Sequence, residues 1–241
     1  MSVHALWSAP RSRSTAFFRS MVERGDLLAL REPLEGLHFT GPLQIDGETF
    51  TSPPQLLAWL VEETGERTVF LKETVNPPVQ SIVVDDRRFL LEARHAFLIR
   101  RPGEIAASWW ALEHDMRIQD TGLELLRDLF LAVQDAGGDP PVVIDAEDLV
   151  TNPAGTMAAY CAAVDLPFVA EAVHWQPGPR PEWASAPRWH EDVARSTGFE
   201  VPVRDRHGLL EHPEVVRFAE RHGPAYDELR RHRLEVPRPP G

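Results

Sequence analysis

Five short apolar runs, each followed by a loop and a helical pattern, constrain this chain more than any other feature. The runs are Val3–Trp7, Leu27–Leu30, Thr68–Leu71, Ala96–Ile99 and Pro141–Ile144. Helical patterns fall between them at Ser14–Glu23, Gln55–Glu63, Pro102 to about Met116, and about Leu123–Asp135, with Pro153–Val164 after the last strand. Pro102 suits a first helical position. Strands alternating with helices predict an α/β fold of three layers, a mostly parallel sheet with helices on both faces. Ligands of such sheets bind beyond the carboxyl ends of the strands. The first four strands end at or near Arg11, Glu32, Lys72 with Glu73, and Arg100. If these strands are neighbours, their charges converge on one crevice.

The remaining segments are less regular. Residues 36–53 are rich in Gly, Pro and Thr and read as a loop. Residues 174–205 hold Trp175, Trp183 and Trp189 among five prolines. They are too apolar for a solvated linker and too proline-rich for a regular element, so they read as an ordered flap. Residues 212–231 are helical, and residues 236–241 read as a disordered tail. Residues 1–235 are thus expected to form a single domain.

Charge and cysteine content narrow the function. The 241 residues carry a formal net charge of −12, against general nucleic-acid binding, so an anionic ligand needs a local basic pocket. Cys161 is the only cysteine, which excludes an intramolecular disulfide and a cysteine-based zinc site. With no signal-peptide pattern and no apolar run of membrane-spanning length, a cytoplasmic location is expected. Lys72 is the only lysine among 25 basic residues. That draws attention to it, because arginine does not replace a compact ammonium whose pKa can be adjusted.

The loop after the first strand, "SAPRSRST", joins a strand to a helix N-terminus, where unpaired backbone N–H groups and the helix dipole favour an anion. Ser12, Ser14 and Thr15 add hydroxyls, and Arg11 and Arg13 add guanidinium groups. A helix cap with exposed arginines would need only one of those hydroxyls. No glycine or lysine is present, so this is not a nucleotide-triphosphate loop of the G-x-x-x-x-G-K-[ST] type. In "LIRRPGEIAASWW", Arg100 at a strand end and Ser108 on the next helix can hold a second phosphate, unless this is an ordinary strand-to-helix junction. In "VVIDAEDLVTNP", Glu147 and Asp148 are expected to cap the following helix.

Taken together, these motifs resemble the sulfotransferase family, which uses 3'-phosphoadenosine 5'-phosphosulfate (PAPS) as donor. "SAPRSRST" is similar to its 5'-phosphosulfate loop, in the R-S-x-S-T form of a bacterial branch. "RRPGEIAAS" is similar to its 3'-phosphate motif, which would put those roles on Arg100 and Ser108. "VFLKETV" resembles the third-strand motif whose lysine faces the transferred group. "VIDAEDLVTNP" resembles a further turn of the family, with Ala146 where tyrosine is common. Residues 179–199 resemble the C-terminal segment of the bacterial branch. The resemblance covers about Val3–Phe199 and implies a P-loop-like sulfotransferase fold.

It further implies that PAPS is the donor and PAP the product, with no metal, and that the sulfuryl group goes to a hydroxyl or amine of a small-molecule acceptor. Arg11, Ser12, Arg13, Ser14 and Thr15 would hold the 5'-phosphate end and Arg100 with Ser108 the 3'-phosphate. Lys72 would stabilise the leaving oxygen. Glu32 leads the candidates for general base, against a plain surface carboxylate. Glu73 follows, against an ion pair with Lys72, and His38 and His190 come third. Ser196, Thr197 and Gly198, with Trp183, Trp189 and Phe199, would cover the nucleotide or wall the acceptor pocket, or simply pack. Arg13 replaces the family's loop glycine, and is expected either to be strained at positive φ or to adopt αR geometry and point at the ligand. A nucleotide kinase would need a loop lysine, and a non-catalytic PAP-binding protein would bind without turnover. The acceptor (secondary metabolite, sugar or lipid) and the oligomeric state, a homodimer included, are open.

Overall fold

A computed structural model of the chain describes residues 2–62, 67–114, 122–180, 187–200 and 207–236. Five parallel strands, β1 (Val3–Ser8), β2 (Leu28–Arg31), β5 (Val69–Thr74), β6 (Arg94–Ile99) and β7 (Val142–Asp145), form a sheet in the order β2-β5-β1-β6-β7. β1, β5, β6 and β7 read as nearly continuous apolar runs because helices cover both faces of the sheet. Alternate residues feed two cores. Val3, Ala5 and Trp7 of β1 join Val69 and Leu71 of β5 on one side, while Leu6 joins Phe70, Ala96 and Leu98 on the other.

The first core is closed by α2 (Pro33–Phe39), α3 (Pro53–Glu62), α4 (Pro77–Asp85), α5 (Arg87–Glu92), α6 (Pro102–Trp110), α7 (Leu123–Ala136), the short α11 (His207–Leu210) and α12 (Pro213–Arg230). The second is closed by α1 (Ser14–Glu23), α8 (Ala146–Thr151), α9 (Pro153–Ala163) and the segment around Trp175 and Phe199. The helix after β1 therefore leaves to one face, and those after β5 and β6 leave to the other. The carboxyl end of β1 lies at this divergence, where open α/β sheets bind ligands.

Several elements differ from the reading of the sequence. Residues 36–53 are not one loop. They hold most of α2 and an antiparallel hairpin, β3 (Leu43–Ile45) with β4 (Glu48–Phe50). Its Asp46-Gly47 turn has both residues at positive φ (49° and 87°), the requirement of a tight hairpin turn. α4 and α5 were hidden by their brevity, although Asn76 and Asp86 cap them by accepting from Val79 N and Phe89 N at 3.0 and 2.9 Å. Glu147 and Asp148 cap no helix but lie inside an unexpected one, α8, whose cap is Asp145, accepting from Glu147 N at 3.1 Å, and the helix after them, α9, is capped by Asn152, accepting from Gly155 N at 3.1 Å. The proline-rich flap includes a regular helix, α10 (Pro187–Arg195), since proline is tolerated at a first helical position. The helix expected to reach Met116 ends at Trp110, with Ala111 as its C-cap, and the tail beyond Val236 lies outside the described residues.

Candidate functional site

The loop between β1 and α1 is held in a conformation that side chains disfavour. Arg11 has φ 62° and Arg13 has φ 67°. A non-glycine residue in this left-handed region costs about 1–2 kcal/mol. Of the two geometries expected for Arg13, the structure has the strained one. Its Nη1 donates to the Glu200 carbonyl at 3.3 Å, which ties the loop to the segment after α10.

The two motifs expected to bind the two ends of a nucleotide meet directly. Arg100 Nη1 donates to the Arg11 carbonyl at 2.8 Å, and Arg11 Nε donates to Ser108 Oγ at 3.1 Å. Arg100 Nη2 also donates to Glu104 Oε2 at 3.1 Å. Arg100 and Ser108 thus brace the loop from α6 and the end of β6. Ser14 is buried at the start of α1, and Ser12 is fully buried with no hydrogen-bond partner for its hydroxyl among the described residues. A buried hydroxyl without a partner is costly, and a phosphate or sulfate oxygen in the loop would satisfy it.

Glu32 and Lys72 come from neighbouring strands. The β2–β5 register sets Arg31 opposite Lys72, and Glu32 N–H donates to the Lys72 carbonyl at 2.7 Å. Glu32 also has positive φ (49°) and precedes Pro33, which opens α2. Lys72 Nζ donates to Glu32 Oε1 at 2.5 Å, and Arg31 pairs with the other carboxylate oxygen. Burial alone would raise the Glu32 pKa, but the Lys72 ammonium and the Arg31 guanidinium hold it down at about 2. Thr74, two residues after Lys72 and on the same side of β5, completes the group. Its hydroxyl accepts from Lys72 Nζ at 3.0 Å and donates to Glu32 Oε1 at 2.7 Å.

Glu73 is not part of this group. Strand alternation turns it toward the opposite face, where it is fully buried and accepts from Leu34 N at 2.6 Å. Burial first, and then the charge of Glu32, raise its pKa well above the ordinary carboxylate value. The partner of Lys72 is Glu32, not Glu73. His38 is exposed on α2 and packs edge to face on Phe39. His190 of α10 is buried and shares a hydrogen bond of 3.1 Å with Thr15 Oγ1. Burial lowers its pKa to about 4, and Arg31, Lys72 and Arg11 push the same way against Glu32. Its hydrogen bond to Thr15 places His190 beside the arginine loop, within the electrostatic reach of Glu32 and Lys72.

Ser196 and Gly198 are buried, whereas Thr197 between them is exposed. Ser196 Oγ accepts from Trp175 Nε1 at 3.2 Å and donates to the Val193 carbonyl at 3.0 Å. Gly198 pairs with His174, and an added Cβ would stand 3.1 Å from the Val173 carbonyl. Thr197 donates from its N–H and hydroxyl to Glu200 Oε1, and also lines a cavity of about 400 Å³ beside Glu23, His174, Trp175 and Gln176. Trp183 and the side chain of Trp189 lie outside the described residues. Arg31 and Thr74 were not anticipated. Period-two alternation places Thr74 with Lys72, and that was the available signal.

The five-stranded parallel sheet, with its basic loop at the carboxyl end of the central strand, defines a sulfotransferase type of α/β fold. The chain belongs to the sulfotransferase domain family, whose model matches residues 1–213. Two solved structures share the fold. One is the sulfotransferase domain from the Synechococcus PCC 7002 olefin synthase, with TM-score 0.61 and 17% identity over 92% of this chain and 94% of that one. The other is the sulfotransferase domain from the curacin biosynthetic pathway, with TM-score 0.55 and 13% identity over 98% and 99%. In sequence, the chain is 31% identical over 217 residues to branched-chain-amino-acid aminotransferase-like protein 2 of Arabidopsis thaliana, covering 84% of this chain and 37% of that protein. It is 30% identical over 242 positions to the plant's aminotransferase-like protein 1, covering 94% and 41%. The chain therefore spans about two fifths of the length of these plant relatives. Among the described residues, no helix is long and apolar enough to cross a membrane, and no cluster of His, Cys, Asp and Glu is placed to hold a metal ion.

Proposed function

We propose that this chain transfers the sulfuryl group of PAPS to a hydroxyl or amine of a small-molecule acceptor, with Glu32 as general base. The observation that supports this reading is the Lys72–Glu32 pair at 2.5 Å, near the carboxyl end of β5 and next to the carboxyl end of β1, from which the loop of Arg11 and Ser12 leaves. The residues present fit a phosphosulfate. The hydroxyl of Ser12 lacks a partner, Arg11 adds charge beside it, and the helix N-terminus at Ser14 favours an anion.

When bound, PAPS supplies an activated sulfur whose bridging oxygen leaves as part of the 5'-phosphate of PAP. Lys72 neutralises the charge that develops on that oxygen. Glu32 takes the proton of the attacking hydroxyl or amine as the new bond to sulfur forms. Arg100 and Ser108 hold the loop in register through Arg11, and in this reading they also face the 3'-phosphate. Neutral His190 keeps the Thr15 hydroxyl oriented. The aminotransferase-like name of the plant relatives belongs to proteins more than twice as long as the matched region.

Calorimetry and thermal melting with PAP and PAPS test the donor, followed by a screen of acceptors with sulfur-labelled PAPS. A ligand at about a hundred times its Kd stabilises the native state by about 2.7 kcal/mol. For a chain of this size that raises Tm by roughly 5–10 °C. If neither nucleotide moves the Tm, the donor is not PAPS.

A further inference from the structure

The hydroxyl of Thr74 sits inside the pair that the proposed chemistry must separate. In the structure a single oxygen, Glu32 Oε1, receives both Lys72 Nζ at 2.5 Å and Thr74 Oγ1–H at 2.7 Å, while Lys72 Nζ also donates to Thr74 Oγ1 at 3.0 Å. The three groups form a closed triangle. A hydroxyl has one proton, so while it donates to Glu32 it can only accept from Lys72. Threonine is β-branched and stiff at χ1, and Thr74 ends β5 in register with Ser8 of β1, so its hydroxyl has little freedom. Glu32 is held from the other side by Arg31 and by its N–H bond to the Lys72 carbonyl.

This arrangement conflicts with the roles assigned to its members. A base paired to an ammonium is poorly basic, and an ammonium paired to a carboxylate is not available to a leaving oxygen. The conflict ends when an anion in the loop competes for Lys72. The ammonium then turns from one oxygen to another, and the Thr74 hydroxyl continues to donate to Glu32. The carboxylate keeps its orientation while it loses its nearest positive charge and becomes more basic.

We propose that Thr74 is a positioning residue that holds the Glu32 carboxylate in place while Lys72 is handed from Glu32 to the bound sulfuryl donor. The inference rests on the reading of Glu32 and Lys72 as base and leaving-group stabiliser. It implies that the base is released only when the donor is present, so a hydroxyl acceptor is not activated on the unliganded protein.

Because Lys72 is the only lysine, protein grown with lysine labelled at ¹³Cε shows one ε-methylene signal, which reports this site alone. In the wild type, saturation with PAP, which carries the former bridging oxygen on its 5'-phosphate, is expected to move that signal. Thr74→Val, nearly the same shape without the hydroxyl, is expected to shift the unliganded signal away from the wild-type position, and Thr74→Ser to restore it. A Thr74→Val signal superimposed on the wild type overturns the proposal, as does a shift that Thr74→Ser fails to restore. A protein that binds PAP by calorimetry with an unmoved lysine signal overturns the handover and leaves the donor reading standing. A protein that binds no PAP overturns the donor reading itself. The PAP titration uses the wild type, so it holds even if Thr74→Val does not fold.

Discussion

Replacing Glu32 by Gln removes a charge but almost no volume, so its effect on stability isolates the ion pair. A carboxyl that titrates at about 2 in the folded chain and near its ordinary value when unfolded favours folding by about 3 kcal/mol at neutral pH. Its folded pKa is depressed, so this stabilisation is present above the unfolded pKa and is lost as pH falls toward 2. By pH 3.5 about 2 kcal/mol should remain. Glu32→Gln leaves Lys72 buried without its counter-ion, as does protonation of Glu32 in the wild type, so the two proteins should converge in acid. Urea unfolding of both proteins at several pH values between 7 and 3.5 measures the gap. We expect Glu32→Gln to be less stable by about 3 kcal/mol at pH 7, with the gap narrowing steadily below pH 5. A gap that is absent at pH 7, or that stays constant down to pH 3.5, would refute the argument that Lys72 and Arg31 outweigh the burial of Glu32.

Glu73 should behave in the opposite sense. Its raised pKa favours the folded state fully below the ordinary carboxylate range, and that contribution is lost as pH rises toward the folded value. Glu73→Gln mimics the neutral acid, so its Tm relative to the wild type should climb as pH rises above the ordinary carboxylate range, and a flat difference would count against a raised pKa at Glu73. His190, with a pKa of about 4, should stay neutral from pH 5 to pH 8. The Cε1–H signal assigned by its loss in His190→Gln should show no titration step in that range, and a midpoint near 6.5 would contradict the burial argument.

Much of the fold was legible because its central strands are covered on both faces. β1, β5, β6 and β7 show up as apolar runs without any knowledge of their neighbours, and α1 begins and ends where its apolar pattern does. The parts that escaped are short. A seven-residue α2 and a hairpin of three-residue strands do not repeat long enough for periodicity to separate them from a loop. The signals for the hairpin and for the short α4 and α5 were local instead, in the Asp46-Gly47 turn and in the caps Asn76 and Asp86. The same distinction divides the site. The types of residue that handle an anion were visible in "SAPRSRST" and in the lone Lys72. Grouping Glu73 with Lys72 followed their adjacency in sequence, whereas a strand turns adjacent residues to opposite faces.

By itself the sequence determined the five strands of the main sheet and the longer helices, that a basic loop precedes α1, and that a single lysine ammonium is available to the site. Those properties rest on local periodicity, capping and composition. Only the tertiary structure decided that β5 lies between β2 and β1, which brings Glu32 onto Lys72 and Thr74 from 40 and 42 positions away. Strand order in a parallel sheet depends on which crossovers can pack together, and no stretch of local sequence encodes that choice. The pairing that sets the charge state of Glu32, and with it the chemistry proposed here, therefore exists only in the folded chain.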